Sequence, residues 1–491
     1  MNLNSPAAIS WQSSLLRTGK LNSNKIKIFA AIIGITLGAT SLFAASEKIS
    51  ADLARALEKT EGRVPVIVMM KGVPLLPQTM AMQMNPNDVE HMLKQRMHQL
   101  QASMHDYVDG LAGSPGVMGD DAPITRQLFF WNVNALMATA SSEIISEMAA
   151  RDDVTKILLD RRIMLERNDP QIEDLDGSTF TYGLEKIGVP DLRTKHPEIT
   201  GKGVVVGIID TGIDAAHPEF KNKEIVFRDF INNRGDKPYD DNGHGTHVAG
   251  TISGVGANGT QIGIAPEVKL VVGKVFTSQG SGSLSAILRA MEWIANPSTQ
   301  GDGKDRPRVV NNSWGGGIGS SADEDPFYQA TLTWVQLDIF PCFAAGNSGP
   351  SASTVGSPGG LPSAFAIGAT DSDDGIASFS SRGPVSITVK GKELTYAKPD
   401  VSAPGVKVMS SMPGGKYGTM SGTSMATPHA TGAIALLYQS KPNLTIAQVR
   451  EIMSKSSEHL GDDGMNNTFG SGRINISAAV DAMADMGFSP F

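Results

Sequence analysis

The strongest constraint on the fold is a run of six residues without a polar side chain, Val204-Val205-Val206-Gly207-Ile208-Ile209, ended by Asp210. A strand that is apolar on both faces must be covered on both, which is the condition of a parallel sheet between two helical layers. Further candidate strands lie at residues 268–275, 308–312, 339–345 and 364–369, and helical patterns alternate with them. The expected fold class is therefore α/β, a mostly parallel sheet with helices on both faces. Sites in such sheets lie outside the carboxyl ends of the strands, where Asp210 and Asn347 both fall.

Composition bounds the rest. A chain of 491 residues, 40% of them apolar, can bury two or three folded units. Its net charge of -8 argues against nucleic acid as a main partner. The single cysteine, Cys342, excludes an intrachain disulfide, and its apolar surroundings make it a core residue.

Four segments differ in texture. In residues 1–46, Lys25 and Lys27 precede an apolar run at 28–45 that ends in small residues, the pattern of an export signal cleaved near residues 44–46. The run also approaches the roughly 20 residues of a membrane span, so an uncleaved N-terminal anchor is the competing reading. Residues 47–166 read as a small α+β unit: a strand at 64–70, a helix at 89–111, a strand at 129–138, a helix at 142–150 and a strand at 154–165. On the first helix Val89, Met92, Leu93, Met97, Leu100, Met104, Val108 and Leu111 recur at three- and four-residue steps, a core face and not a metal site. Residues 167–181, acidic and containing Gly and Pro, form a linker, and 182–491 carry the parallel sheet.

Three islands in this last segment carry chemistry: Asp210-Thr211-Gly212, His244-Gly245-Thr246-His247 and the run from Gly422 to His429, with Ser424 inside it. A serine hydroxyl is a weak nucleophile until an imidazole accepts its proton, and a carboxylate must hold that imidazole in the right tautomer. Ser424 precedes a small-residue helix at 430–438, whose start offers unpaired N–H groups to a developing oxyanion; Pro428 is tolerable only if the helix is just beginning. His217, His247 and His429 lack a carboxylate or cysteine set that would complete a metal site and read as structural, and Asp214 reads as a turn residue.

The order Asp, His, Ser and the Gly-Thr-Ser-Met-Ala island resemble the subtilases, the subtilisin-like serine proteases, over about residues 182–483. The resemblance implies a subtilisin-like fold and peptide-bond hydrolysis on protein or peptide substrates, with Ser424 as nucleophile, His244 as general base, Asp210 as its orienting acid and Asn347 as the side-chain oxyanion donor. It implies that residues 47–166 are a pro-region, chaperone and inhibitor of the enzyme, shed by self-cleavage between residues 166 and 181. It matches Gly280, Ser281 and Gly282, and Ser313, Trp314 and Gly315, to the two segments that pair with extended substrate. Gly346 and Gly356 match the pocket for the residue before the cut bond. With no acidic residue evident there, that pocket is expected to favour large apolar side chains.

No cofactor is implied for the chemistry, but a structural calcium is, in the loop at 255–262 with Glu219. There Ala257 stands where an amide ligand is usual, and Glu219 replaces a shorter Asp. Asp371, Asp373 and Asp374 read as an exposed acidic turn, with a weak cation site as the alternative. Residues 386–399 read as a hairpin insertion. Two other readings stay open from sequence: an acyl transferase of the same fold, and a binding protein on an inactive one.

Overall fold

The computed structural model describes residues 47–112, 124–166, 170–232, 234–298, 301–316 and 321–487. The expected export signal lies outside them, and no helix among the described residues is long and apolar enough to cross a membrane.

The N-terminal unit comprises α1 (Ala51–Leu57), β1 (Val64–Met70), α2 (Pro86–Ala112), β2 (Ile124–Phe130), β3 (Ala135–Ala140), α3 (Ser142–Ala150) and β4 (Val154–Leu159). Its sheet is antiparallel, in the order β2-β3-β1-β4. Three details differ from the sequence reading. The expected strand at 129–138 is a hairpin, because Asn134 turns the chain: its Nδ2 donates to the carbonyls of Lys71 and Gly72 at 2.8 and 3.1 Å. The run at 154–165 breaks at Asp160, whose carboxylate accepts the N–H and hydroxyl of Ser285 in the larger unit at 2.8 and 2.6 Å. After the break, β5 (Arg162–Met164) and then β6 (Gln171–Ile172) leave the N-terminal sheet altogether. On α2, Leu100 is 38% exposed, and the buried face runs through Gln101, whose Nε2 donates to the Phe130 carbonyl at 2.7 Å.

The larger unit contains β7 (Val205–Asp210), β8 (Ile225–Asp229), α4 (His244–Ser253), β9 (Lys269–Lys274), β10 (Ser281–Ser283), α5 (Leu284–Ile294), β11 (Val309–Asn312), α6 (Pro326–Gln336), β12 (Phe340–Ala344) and β13 (Phe365–Thr370). A hairpin of β14 (Val385–Val389) and β15 (Lys392–Tyr396) follows, as the insertion was expected to form. Then come β16 (Val401–Pro404), β17 (Val408–Met412), β18 (Lys416–Met420), α7 (Thr423–Ser440), α8 (Ile446–Ser456) and α9 (Ile476–Asp485). Seven strands form the main sheet in the order β16-β13-β12-β11-β7-β9-β8, every pair parallel. The expected α/β sheet is thus present, with β8 and β16 as strands the sequence reading missed.

Successive residues of each strand enter opposite cores. Val206 and Ile208 of β7, Leu270 and Val272 of β9 and Cys342 of β12 pack with residues of α4, α7, α8 and α9. Ile209, Val271, Val310 and Phe343 pack with α5 and α6 on the other face. Burial pushes the Cys342 thiol up to about 12, which leaves it inert. Winding reverses between β7 and β11, so Asp210 and Ser313 emerge on either side of one crevice.

Candidate active site

Asp210 ends β7 fully buried, and its Oδ1 accepts both the Thr211 N–H at 2.7 Å and Nδ1–H of His244 at 2.8 Å. A carboxylate can only accept, so the imidazole carries its proton on Nδ1 and offers a lone pair on Nε2. His244 opens α4, where the acid turn and the base helix touch. Gly212 sits at φ 117°, and a Cβ there would lie 2.1 Å from the Tyr239 carbonyl oxygen; one on Gly245 would lie 2.2 Å from the Gly212 oxygen. The two motif glycines are what this contact requires. Burial lowers the His244 pKa, but the charge and hydrogen bond of Asp210 outweigh it, and the ring ends above its ordinary value.

Ser424 lies in the first turn of α7, 7% exposed. The helix begins at Thr423, earlier than the segment at 430–438 read from sequence, so Pro428 stands inside it. Without an N–H, Pro428 leaves the Ser424 carbonyl free, and that carbonyl accepts the Ser313 hydroxyl at 2.8 Å. The Ser424 hydroxyl in turn donates to the Ser313 carbonyl at 2.9 Å. His244 Nε2 is buried with no partner among the described residues. A rotation about the Ser424 Cα–Cβ bond is therefore needed to engage the imidazole, a tightening usual on substrate binding.

Asn347 follows β12. Its Oδ1 accepts the N–H and the hydroxyl of Thr423, each at 2.8 Å, which fixes the amide so that Nδ2 is the free end. The sequence reading does not single out Thr423; its position beside Ser424 is the available signal. Asn347, Ser424, Ser313, Trp314, Gly315, Gly346 and Gly356 line one pocket. The Trp314 ring itself turns into the core against Phe276, Phe327 and Phe343. Gly280 and His244 border the adjoining pocket.

Exposed Glu166 borders both pockets. The chain reaches it as an added strand: β5 pairs antiparallel with β10, Met164 opposite Ser281 and Ile163 opposite Gly282, and the Leu165 N–H donates to the Gly280 carbonyl at 2.8 Å. Ile163 is 5% exposed among Phe276, Leu284 and their neighbours. On the far side, Ile172 and Gln171 of β6 pair with Gly418 and Thr419 of β18. Among the described residues, of the two segments matched to substrate pairing Gly280 to Gly282 carries such a strand and Ser313 to Gly315 lines the pocket without one, while the next residue, Gly316, bridges to Ser357.

The remaining candidates are structural. His247 Nε2 meets the Val408 carbonyl at 2.9 Å, and burial lowers its pKa to about 3. His429 is lowered to about 4 by the same cause, with Nδ1 2.9 Å from the Met425 carbonyl oxygen. His217 accepts the Glu219 N–H and contacts the Lys416 carbonyl. Asp214 accepts N–H groups of Ala216 and Gly414. Asp371 accepts the N–H groups of Asp373 and Gly375 while Asp374 faces Lys186 and Arg473, so the acidic cluster is a braced turn.

The implied calcium site does not fit its residues. Fully buried Glu219 accepts the N–H groups of Gly256 and Ala257 at 2.7 and 3.1 Å and the Tyr417 hydroxyl at 2.6 Å. Three hydrogen-bond donors converge where a hard cation needs six to eight oxygens.

Comparison with known proteins agrees with this geometry. Residues 201–472 match the subtilase family. Serine protease AprX of Bacillus subtilis is 40% identical over 308 residues, 57% of this chain and 67% of the relative. Subtilisin E of the same organism is 35% identical over 353 residues, 72% of this chain and 82% of the relative. Bacillopeptidase F is 34% identical over 396 residues, which cover 72% of this chain but 26% of that longer protein.

Proposed function

The chain belongs to the subtilase family and is a subtilisin-like serine endopeptidase; from that premise we propose that it is made as a secreted zymogen that cuts itself after Glu166. In this reading residues 1–46 direct export, 47–166 are the pro-region, 167–181 the linker left at the new N-terminus and 182–491 the catalytic domain.

Ser424 Oγ attacks a peptide carbonyl as its proton passes to His244 Nε2. Asp210, already hydrogen-bonded to Nδ1–H, stabilises the imidazolium that results. The oxyanion forms between Asn347 Nδ2–H and the Ser424 N–H, and loss of such a side-chain donor in subtilisin, a relative, lowers turnover about 10²–10³-fold. The imidazolium returns its proton to the leaving amine, and water hydrolyses the acyl-enzyme by the reverse route. Because His244 must be neutral and its pKa is raised, activity is lost as pH falls through that raised value. Subtilases need no cofactor for this chemistry.

The observation that carries the zymogen reading is the β5–β10 pairing, which leads the chain through the cleft to Glu166 beside Ser424 and His244. Substrates bind by the same strand addition, which reads main chain and tolerates many sequences. Before the cut bond we keep the preference for large apolar residues: glycines leave volume, and Glu166 is itself exposed at the pocket rim. A glutamate there is tolerated in the first cut because tethering raises its effective concentration.

The test is to follow intact masses and N-termini of the chain from Ser46 onward beside its Ser424→Ala variant. Wild type alone should mature, to a protein beginning at residue 167. A mature start before Val64, or equal processing of the variant, overturns the reading.

A further inference from the structure

Lys274 is fully buried, which lysines almost never are unless every charge-bearing proton is matched. Here each is. The Nζ ammonium donates to the Thr211 carbonyl at 2.5 Å, to Asp241 Oδ1 at 2.7 Å and to the Phe276 carbonyl at 2.8 Å, with the Tyr239 ring centre 4.9 Å away. Three donors meet three acceptors, so the group has no capacity left for substrate or water.

The acceptors belong to three different parts of the site. Thr211 follows Asp210 in the acid turn. Asp241 lies in the loop that leads into α4, where Gly243 and Thr246 are already tied to Asp240 and His244 begins the helix. Phe276 lies between β9 and β10, the strand that pairs with β5. Thr211 and Phe276 lie just past the ends of β7 and β9, and Asp241 lies in the loop between β8 and α4, so none of the three lies in a strand of the sheet. In register Lys274 stands directly opposite Asp210, the last pair of the β7–β9 ladder. Other contacts join these segments two at a time: Ile213 to Tyr239, and the Val275 N–H to the Asp210 carbonyl. Lys274 alone among the described residues ties all three through one atom.

We infer that Lys274 is a positioning residue for the protease reaction: its ammonium holds the acid turn, the base helix and the substrate strand in one register without touching substrate. The inference rests on the catalytic reading given above. It predicts that removing the charge misaligns Asp210 against His244 and loosens β10 together. A shift of about 1 Å in such a constellation lowers turnover on the order of a hundredfold.

The test compares wild type, Lys274→Met and Asp241→Asn, each matured by a trace of wild-type enzyme and counted by phosphonate titration of Ser424. Turnover per titrated site is measured on a short peptide, and on a long one whose apolar residues reach β10. Lys274→Met should lose about a hundredfold in kcat per site, and the advantage of the long peptide in kcat/KM should shrink. Asp241→Asn, altering one partner on a side chain still 31% exposed, should lose about tenfold. A purely structural lysine would lower only the number of titrated sites. The inference is overturned if kcat per site of Lys274→Met stays within twofold of wild type, or, where that variant yields no folded protein, if Asp241→Asn does. Absence of turnover in wild type would instead overturn the catalytic reading itself.

Discussion

The four-stranded N-terminal sheet and the seven-stranded parallel sheet are both apolar on two faces, but only the parallel one supplies its own cover. In the parallel sheet, α4 and α7 lie over Val206 and Ile208 while α5 and α6 lie over Ile209 and Val310, all within the larger unit. In the N-terminal sheet, Val64, Val66, Val68 and Met70 of β1 face Met104, Ile145 and Met148 of their own helices. Ile67 and Met69 of the same strand, with Phe130 and Val133, instead join the core beneath α5 and α6. On that second face Val89 and Leu93 of α2 cover the sheet together with α5 and α6, so part of its cover is lost when the units separate. The shared core is what the proposed pro-region role of this unit rests on.

The comparison breaks first if the N-terminal unit stands alone. Residues 47–166 by themselves should show no cooperative thermal transition in circular dichroism and gain one when mixed with the Ser424→Ala catalytic domain; a cooperative transition in isolation would show the second face to be dispensable. The next largest effect is expected at the polar edge of the shared core. Arg306 pairs there with Glu90 at 2.5 Å, both side chains less than a tenth exposed, and Glu90 also accepts from Asn296 at 2.9 Å. Glu90 keeps Lys94 as a second cation at 2.5 Å, so removing Arg306 costs about the 1.5–3 kcal/mol of a charged hydrogen bond. Arg306→Met should therefore weaken inhibition by the separately added pro-region by roughly ten- to a hundredfold, measured as Ki.

The same asymmetry explains what could be read in advance. The five inner parallel strands were legible because burial on both faces leaves uninterrupted apolar runs, whereas the edge strands β8 and β16 lack such runs; the islands around Asp210, His244 and Ser424 were legible because tight approach demands glycine at fixed positions. Asp160 and Asn134 were not legible, since their partners Ser285 and Lys71 lie far off in sequence. Periodicity favours Leu100 over Gln101 on the buried face, because it rewards apolar residues and cannot see a carbonyl awaiting a donor. Lys274 did leave a trace: a lysine closing the strand run Val271-Val272-Gly273 is out of place in a strand buried on both sides.

A smaller effect sharpens the comparison through pH. Glu292 of α5 receives the Trp131 N–H of the N-terminal unit at 2.7 Å, and burial raises its pKa to about 7 against hydrogen bonds and lysine and arginine charges that lower it. A carboxyl whose pKa is higher in the complex binds more protons there than in the free enzyme. Its contribution is complete below the ordinary value near 4.5 and lost as pH rises through about 7. The pro-region should accordingly bind several-fold more tightly at pH 5.5 than at pH 8, and Glu292→Gln should flatten that dependence. An unchanged slope in the variant would assign the dependence to other groups.

The smallest effect is expected where the larger unit completes itself without help. A loop clamped by an ion gains stability that grows with ion concentration and vanishes with a chelator. The loop at 255–262 is clamped instead by Glu219, through two backbone N–H groups and the Tyr417 hydroxyl. EDTA should therefore leave the Tm of the Ser424→Ala protein within about 1 °C, below the shift of a 1 kcal/mol change in a domain of this size. Glu219→Gln, which keeps the shape but turns one acceptor into a donor facing N–H or O–H groups, should lower Tm by several degrees with or without calcium. A fall in Tm with EDTA that calcium restores would mean that oxygens outside this loop hold an ion, and the larger unit would then depend on a partner as the N-terminal sheet does.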